Sequence, residues 1–301
     1  HAALGPQLLE PRTHVLGTRP AGVVGFRVRA GGRHGVPGTV SRMGSPRAST
    51  AIAATAAVIG LVGCSSTVDL APPAPGTMLL SPSSLPSGFS PVSAGIGELV
   101  DANAEALAVA AKAGVVPAQC RPTADADLNK RLDTDNAAVL AARSADATLS
   151  NLVVALARNI DADIAERTGG CATTRTTITE GSRAGAVITA EHRKLTPPQL
   201  VGARPGRLGR LGRLDISQML ALRTDTTTTL PDGTTSRSVS FAAYAAARTP
   251  GPSERNRYTV AVTVAGDPTP FTKPFPEVSE PMSDTAFLEL FSKALAAAGQ
   301  T

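Results

Sequence analysis

Aromatic side chains are almost missing: Trp is absent, and Phe and Tyr together make up 3% of 301 residues. Stacking platforms for nucleic-acid bases need rows of such rings, so that class of partner is disfavoured at the outset. Histidine is scarce too. His1, His14 and His34 fall in the first 42 residues, leaving His192 alone in the rest of the chain. A Ser-His-Asp site would have to use it, yet no G-x-S-x-G elbow is present, and no G-x-x-x-x-G-K loop cradles phosphate. Flanked by Glu191, Arg193 and Lys194, His192 reads as an exposed strand position. Asp125 with Asp127, and Asp161 with Asp163, read as solvated carboxylates rather than a glycosidase pair. One histidine with so few thiols does not make an ordinary zinc site. The expectation is a non-enzymatic protein with no metal and no cofactor.

An excess of charge is also lacking once the chain is divided. The formal net charge is +5, but residues 1–42 hold six arginines against a single acid, Glu10. From Cys64 onward, 22 basic residues face 23 acidic ones. A region this neutral has no electrostatic reason to seek nucleic acid. Residues 1–42 mix Gly, Pro and Arg without helical or strand periodicity, and the first methionine is Met43. They read as an upstream extension, disordered or not translated, with a genuine basic arm as the alternative.

Long hydrophobic runs are missing as well. The greasiest stretch, Ala51 to Val62, is about a dozen residues, short of the ~20 that span a bilayer and the length of a signal-peptide core. Arg47 supplies the positive flank before it. The run ends Leu61-Val62-Gly63-Cys64, which looks like a bacterial lipobox. Small Gly63 lets a peptidase approach the backbone, and the Cys64 thiol accepts the lipid. Two or three acyl chains hold a chain end on a membrane where one binds only marginally. Residues 43–63 therefore read as a lipoprotein signal peptide, with lipidation at Cys64 and the protein on the extracytoplasmic face of the cell membrane.

Cysteine is limited to Cys64, Cys120 and Cys171. Lipidation of Cys64 accounts for the odd thiol, and in an oxidising compartment Cys120 and Cys171 pair by default. Closing a loop of about fifty residues stabilises by roughly 4 kcal/mol in the chain-entropy model. Two free buried thiols are the alternative.

What is there in abundance is Pro and Ser, then Ala, Thr and Val. Residues 64–91 read as a Pro/Ser-rich tether in which Met78-Leu79-Leu80 docks on the domain that follows, 92–301. Ile96–Ala113 is helix-prone and Gly114 and Pro117 end it. Asn136–Arg143 suits a strand. Ser144–Arg167 reads as a helix, with Leu149, Leu152, Val153, Leu156, Ile160 and Ile164 at helical spacing. Cys171–Glu180 and Ala186–Lys194 read as strands. Ile216–Leu230 and Thr234–Arg248 flank the hairpin signal Pro231-Asp232-Gly233. Arg257–Ala265 alternates as a strand. A last helix, capped by Asp284, buries Phe287, Leu288, Phe291 and Leu295. The fold class is α+β: an antiparallel sheet with two or three helices packed on one face and one disulfide.

Between strands, Arg204, Arg207, Arg210 and Arg213 recur every third residue in ARPGRLGRLGRLD. They suit contact with anionic head groups or envelope polymers; the alternative is a low-complexity loop.

The lipobox, the Pro/Ser spacer with LLSPSSLP, then VPAQC, SADATLSNLVVAL and a GGC stop together resemble an uncharacterised group of mycobacterial lipoproteins. That group is related to the extracellular sensor domain of the mycobacterial kinase PknH, and the similarity covers roughly Leu79 to Leu295. The resemblance implies an α+β sheet with a ligand-binding cleft and two disulfides; this chain has cysteines for one bridge. The expected function is a membrane-anchored envelope lipoprotein with a ligand-binding or sensor-like domain for an unidentified envelope ligand or protein. The alternative is an envelope lipid carrier with an apolar cavity, lined by Ala106–Ala113 and Ala242–Ala247.

Overall fold

Short turns between long apolar segments make the chain reverse direction strand by strand. The computed structural model describes residues 72–200, 208–250, 256–271 and 280–300. Its strands are β1 (Ser90–Val92), β2 (Gly114–Val116), β3 (Ala137–Arg143), β4 (Ala147–Val154), β5 (Thr173–Thr177), β6 (Val187–Leu195), β7 (Gly209–Leu211), β8 (Leu214–Thr229), β9 (Thr235–Arg248), β10 (Arg257–Gly266) and β11 (Thr269–Phe271). The helices are α1 (Ile96–Lys112), α2 (Ala124–Asn129), α3 (Ile160–Arg167) and α4 (Asp284–Gly299). The strands form one sheet in the order β1-β3-β4-β10-β9-β8-β6-β5-β2, with β11 beside β9 and β7 beside β8. Every pair is antiparallel. The protein is thus α+β with one disulfide, around a sheet larger than the sequence suggested.

The longest hairpin forms where turn chemistry demands it. Gly233 takes the left-handed φ of 85°, and Asp232 Oδ1 accepts a hydrogen bond from the Thr234 amide at 2.8 Å. On one face of the sheet, α4 buries Phe287, Leu290, Phe291, Ala294 and Leu295 against Phe241, Val260, Val262 and Val264. Phe241 and Phe287 stack with centroids 5.0 Å apart. On the opposite face, Ile96 and Leu99 of α1 and Ile160 of α3 join Leu152, Leu220, Leu222 and Tyr244. Helices therefore cover both faces, not one. Met219–Leu222 of β8 and Phe241–Ala245 of β9 are buried in succession, so each face needs its own cover.

Three further expectations need correcting. Ser144–Arg167 is not one helix: Ala147–Val154 is strand β4, and only Ile160–Arg167 is helical. All eight residues of β4 are buried, and a strand covered on both faces reads as an apolar run that a helical template also fits. The tether is not extended up to residue 91, although it docks at Met78 and Leu80 as expected. Single-turn helices at Pro75–Met78 and Pro82–Ser84 lay Met78 and Leu80 into the core, and Tyr258 Oη donates to the Pro73 carbonyl at 2.8 Å. Buried Asn151 anchors the same segment by accepting from the Leu80 amide at 2.8 Å while donating to Ala261 O at 3.1 Å. Finally, the cap of α4 is Ser283, whose Oγ accepts from the Ala286 amide at 3.2 Å; Asp284 instead takes Arg193 at 2.8 Å.

The C-terminus of α1 ends on a side chain from the next loop. Arg121 donates to the carbonyls of Ala110, Ala111 and Ala113 at 2.9, 2.7 and 2.9 Å, meeting the free carbonyls and the negative end of the helix dipole together. Among the described residues no helix is long and apolar enough to cross a membrane.

Candidate functional site

Two short loops that share a disulfide position the charged centre of the molecule. Cys120 and Cys171 are bonded, with Cα atoms 5.4 Å apart and a sequence separation of 51. The bridge ties the turn before α2 to the turn after α3. Each helix turns one acid of its first turn inward. Asp125 comes from α2, Asp163 and Arg167 from α3, and Arg158 from the loop before α3.

These four side chains close into a ring of alternating charge. Arg158 Nη2 donates to Asp125 Oδ1 at 2.5 Å and to Asp163 Oδ1 at 2.7 Å, and its Nε donates to Asp163 Oδ2 at 2.6 Å. Arg167 reaches Asp163 Oδ1 at 2.7 Å and Asp125 Oδ2 at 2.9 Å. The side chains are between 0% and 5% exposed. The Arg158 guanidinium also lies 4.1 Å over the Tyr244 ring. Burial alone pushes the Asp125 carboxyl up, but the charges of Arg158 and Arg167 and their hydrogen bonds outweigh it and hold the group below the usual aspartate value. Burial likewise works against both guanidinium charges, and Asp125, Tyr244 and Asp163 together more than restore them.

One carboxylate of each pair expected to be solvated is therefore buried. Asp127 stays outside, 3.7 Å from Lys130, and Asp161 accepts from Gln218 Nε2 at 2.5 Å. The helix turns give the reason: α2 and α3 point alternate residues of each Asp-Ala-Asp triplet to opposite sides.

Two depressions flank the ring. The first, about 240 Å³, lies between α2 and α3 and is lined by Thr123, Asp127, Arg131, Arg158 and Asn159. It is smaller than the ~300–1,000 Å³ of drug-sized pockets and suits a small polar molecule or the tip of a partner's loop. The second, about 20 Å³, lies behind the disulfide and is lined by Cys120, Glu166, Arg167, Thr174, Thr176 and His192, among others.

His192 is half-buried rather than exposed, because its face of β6 lies beside α3. Its Nδ1 is 2.9 Å from Thr224 Oγ1. Burial, then the charge of Arg167, lowers its pKa to about 4. Glu166 Oε1 accepts from the amide and the hydroxyl of Thr123. Its other oxygen, Oε2, is buried with no hydrogen-bond partner.

The face that carries α1 to α3 also holds a mostly polar row. Thr148, Ala265, Ser240, Thr224 and His192 are register neighbours on five adjacent strands. The Thr148, Thr226 and Ser240 hydroxyls and Tyr244 Oη are buried without a partner. No pattern in the sequence marks this row; only strand order brings it together.

Leu61, Val62, Gly63 and Cys64 lie outside the described residues, as do the upstream extension, the rest of the signal peptide, Arg204 and Arg207. Arg210 and Arg213 belong to a β-hairpin rather than a loop. Arg210 Nε is 3.2 Å from Asp215 Oδ1, and the Arg213 amide donates to the Gly299 carbonyl at 2.8 Å. Among the described residues no group of three or more His, Cys, Asp and Glu is placed to hold a metal ion. No family model, curated protein or solved structure matches the chain.

Proposed function

We propose that the protein is a lipid-anchored lipoprotein of the cell envelope whose extracytoplasmic domain binds a ligand without catalysing its reaction. The Cys120–Cys171 bridge carries this reading, since a disulfide joining the only two cysteines after Cys64 belongs to an oxidising compartment. The Leu61-Val62-Gly63-Cys64 stretch supplies the export and acylation signal. For ligand binding, support comes from the depression beside Arg131 and Arg158 and from the buried unpartnered hydroxyls on the same face. The ligand is an envelope molecule or a partner protein, and Arg210, whose side chain is 60% exposed, extends the surface available to anionic groups.

The lipid-carrier alternative draws less support. Ala243, Ala245 and Ala247 lie in the closed core under α4, while Ala106, Ala108 and Ala111 face outward from α1. Neither alanine stretch lines an apolar chamber.

Intact-mass measurement on protein extracted from the membrane fraction tests the proposal. The expected species begins at Cys64, carries a diacylglycerol with or without a further acyl chain, and contains one bridge. Recovery from the cytosol, uncleaved and with every thiol titratable, would overturn it.

A further inference from the structure

The buried charges beside the disulfide do not balance. Arg158 and Arg167 are matched by Asp125 and Asp163, so the ring is neutral by itself. Glu166, next to Arg167 in α3, is a fifth charged side chain at the same place, and the residue is 6% exposed. It has hydrogen bonds only from Thr123, both to Oε1, and its buried Oε2 has no partner. A buried carboxylate oxygen left unmatched is costly, more so than a neutral group. The second depression is the space this residue lines, and His192 lines it too. With Nδ1 engaged by Thr224, the imidazole keeps Nε2 as its other ligand atom. Thr174 and Thr176 contribute to the same lining.

We propose that Glu166 and His192 form a binding site for a single divalent transition-metal cation in the notch behind the Cys120–Cys171 bridge. An imidazole nitrogen with a carboxylate oxygen is the donor set that zinc-like ions accept. The notch, at about 20 Å³, admits one ion and no organic ligand. Two protein side chains leave coordination positions for hydroxyls and water, so the ion exchanges rather than forming a structural core. Among the described residues that line the notch Arg167 is the cation, and it is ion-paired to Asp125 and Asp163. The inference does not depend on the membrane anchor.

Zinc chloride alone is the probe, added to the full chain with its bridge intact. Calorimetry is expected to give one equivalent bound, and the His192 ring resonances in a ¹⁵N-detected histidine spectrum to shift on that addition. Those resonances are assigned by their loss in His192→Gln. Affinity should fall at least about tenfold in His192→Gln and in Glu166→Gln, which retains the bonds from Thr123. An unshifted His192 resonance at saturating zinc overturns the site whether or not the variants fold. Binding of equal strength in both variants overturns it as well.

Discussion

Replacing Asp125 with Asn keeps the volume of the side chain and removes its charge from the buried ring. Arg158 and Arg167, held at 2.5 and 2.9 Å by Asp125, then share the single carboxylate of Asp163. Within the ring itself one positive charge is left over, on side chains 2% and 5% exposed, where water does not screen it. Removing one partner of a buried ion pair costs about 3–5 kcal/mol. Against a total stability of ~5–15 kcal/mol this is a large fraction, and for a domain of this size it lowers Tm by roughly 6–20 °C. Urea unfolding followed by circular dichroism at pH 7, bridge intact, reads the loss. Asp127→Asn is the control: its carboxylate is 74% exposed and pairs with Lys130 at 3.7 Å, so it is expected to cost less than about 0.5 kcal/mol. The sign with pH is also set. The folded-state pKa of Asp125 is depressed, so its contribution is complete above the unfolded value and lost as pH falls through the folded one. The gap between native and Asp125→Asn should hold steady from pH 7 to the top of the aspartate range and narrow below it. A loss under about 1 kcal/mol, or one equal to that of Asp127→Asn, refutes the view that the ring joins α2 to α3.

Cys120→Ser with Cys171→Ser should lower stability by about 4 kcal/mol for a separation of 51 residues, read from urea midpoints; no change would mean that the unfolded chain is not constrained by the bridge. His192 has a folded pKa of about 4 against 6.5 when free, so the unfolded chain takes its proton first and stability falls by about 3 kcal/mol as pH drops across that window. His192→Gln should remove this slope in unfolding measured at pH 7, 5.5 and 4. Gly212→Ala places a Cβ 2.1 Å from the Gly299 carbonyl oxygen at a φ of +58°, so both strain and a backbone clash predict a loss above about 2 kcal/mol in thermal melts. Gly97→Ala, in α1 with open space around it, should instead gain about 0.5–1 kcal/mol, and a loss there would contradict the helix.

The elements legible in the sequence are those specified by neighbouring residues. The β8–β9 hairpin follows from Pro231-Asp232-Gly233 and alternation on both sides, and α4 from Phe287, Phe291 and Leu295 on one stripe. The Cys120–Cys171 bridge was expected on the reading that Cys64 is lipidated, with two free thiols as the alternative, and the structure has the bond. β4 was not legible. Its strand is buried on both faces, which erases the alternation that distinguishes a strand from a helix. Asn151, in its middle, looks like a polar interruption until the Leu80 amide and Ala261 carbonyl are seen to satisfy it.

By itself, then, the amino-acid order determined the β8–β9 hairpin, two of the helices and an α+β class, because periodicity and turn chemistry are short-range. The tertiary structure alone decided that helices cover both faces and that Asp125 meets Arg158 across 33 residues. It also set Glu166 beside His192 in one notch. A charged side chain reads as solvated until packing removes its water, and which charges lose their water depends on strands and helices far apart in the chain.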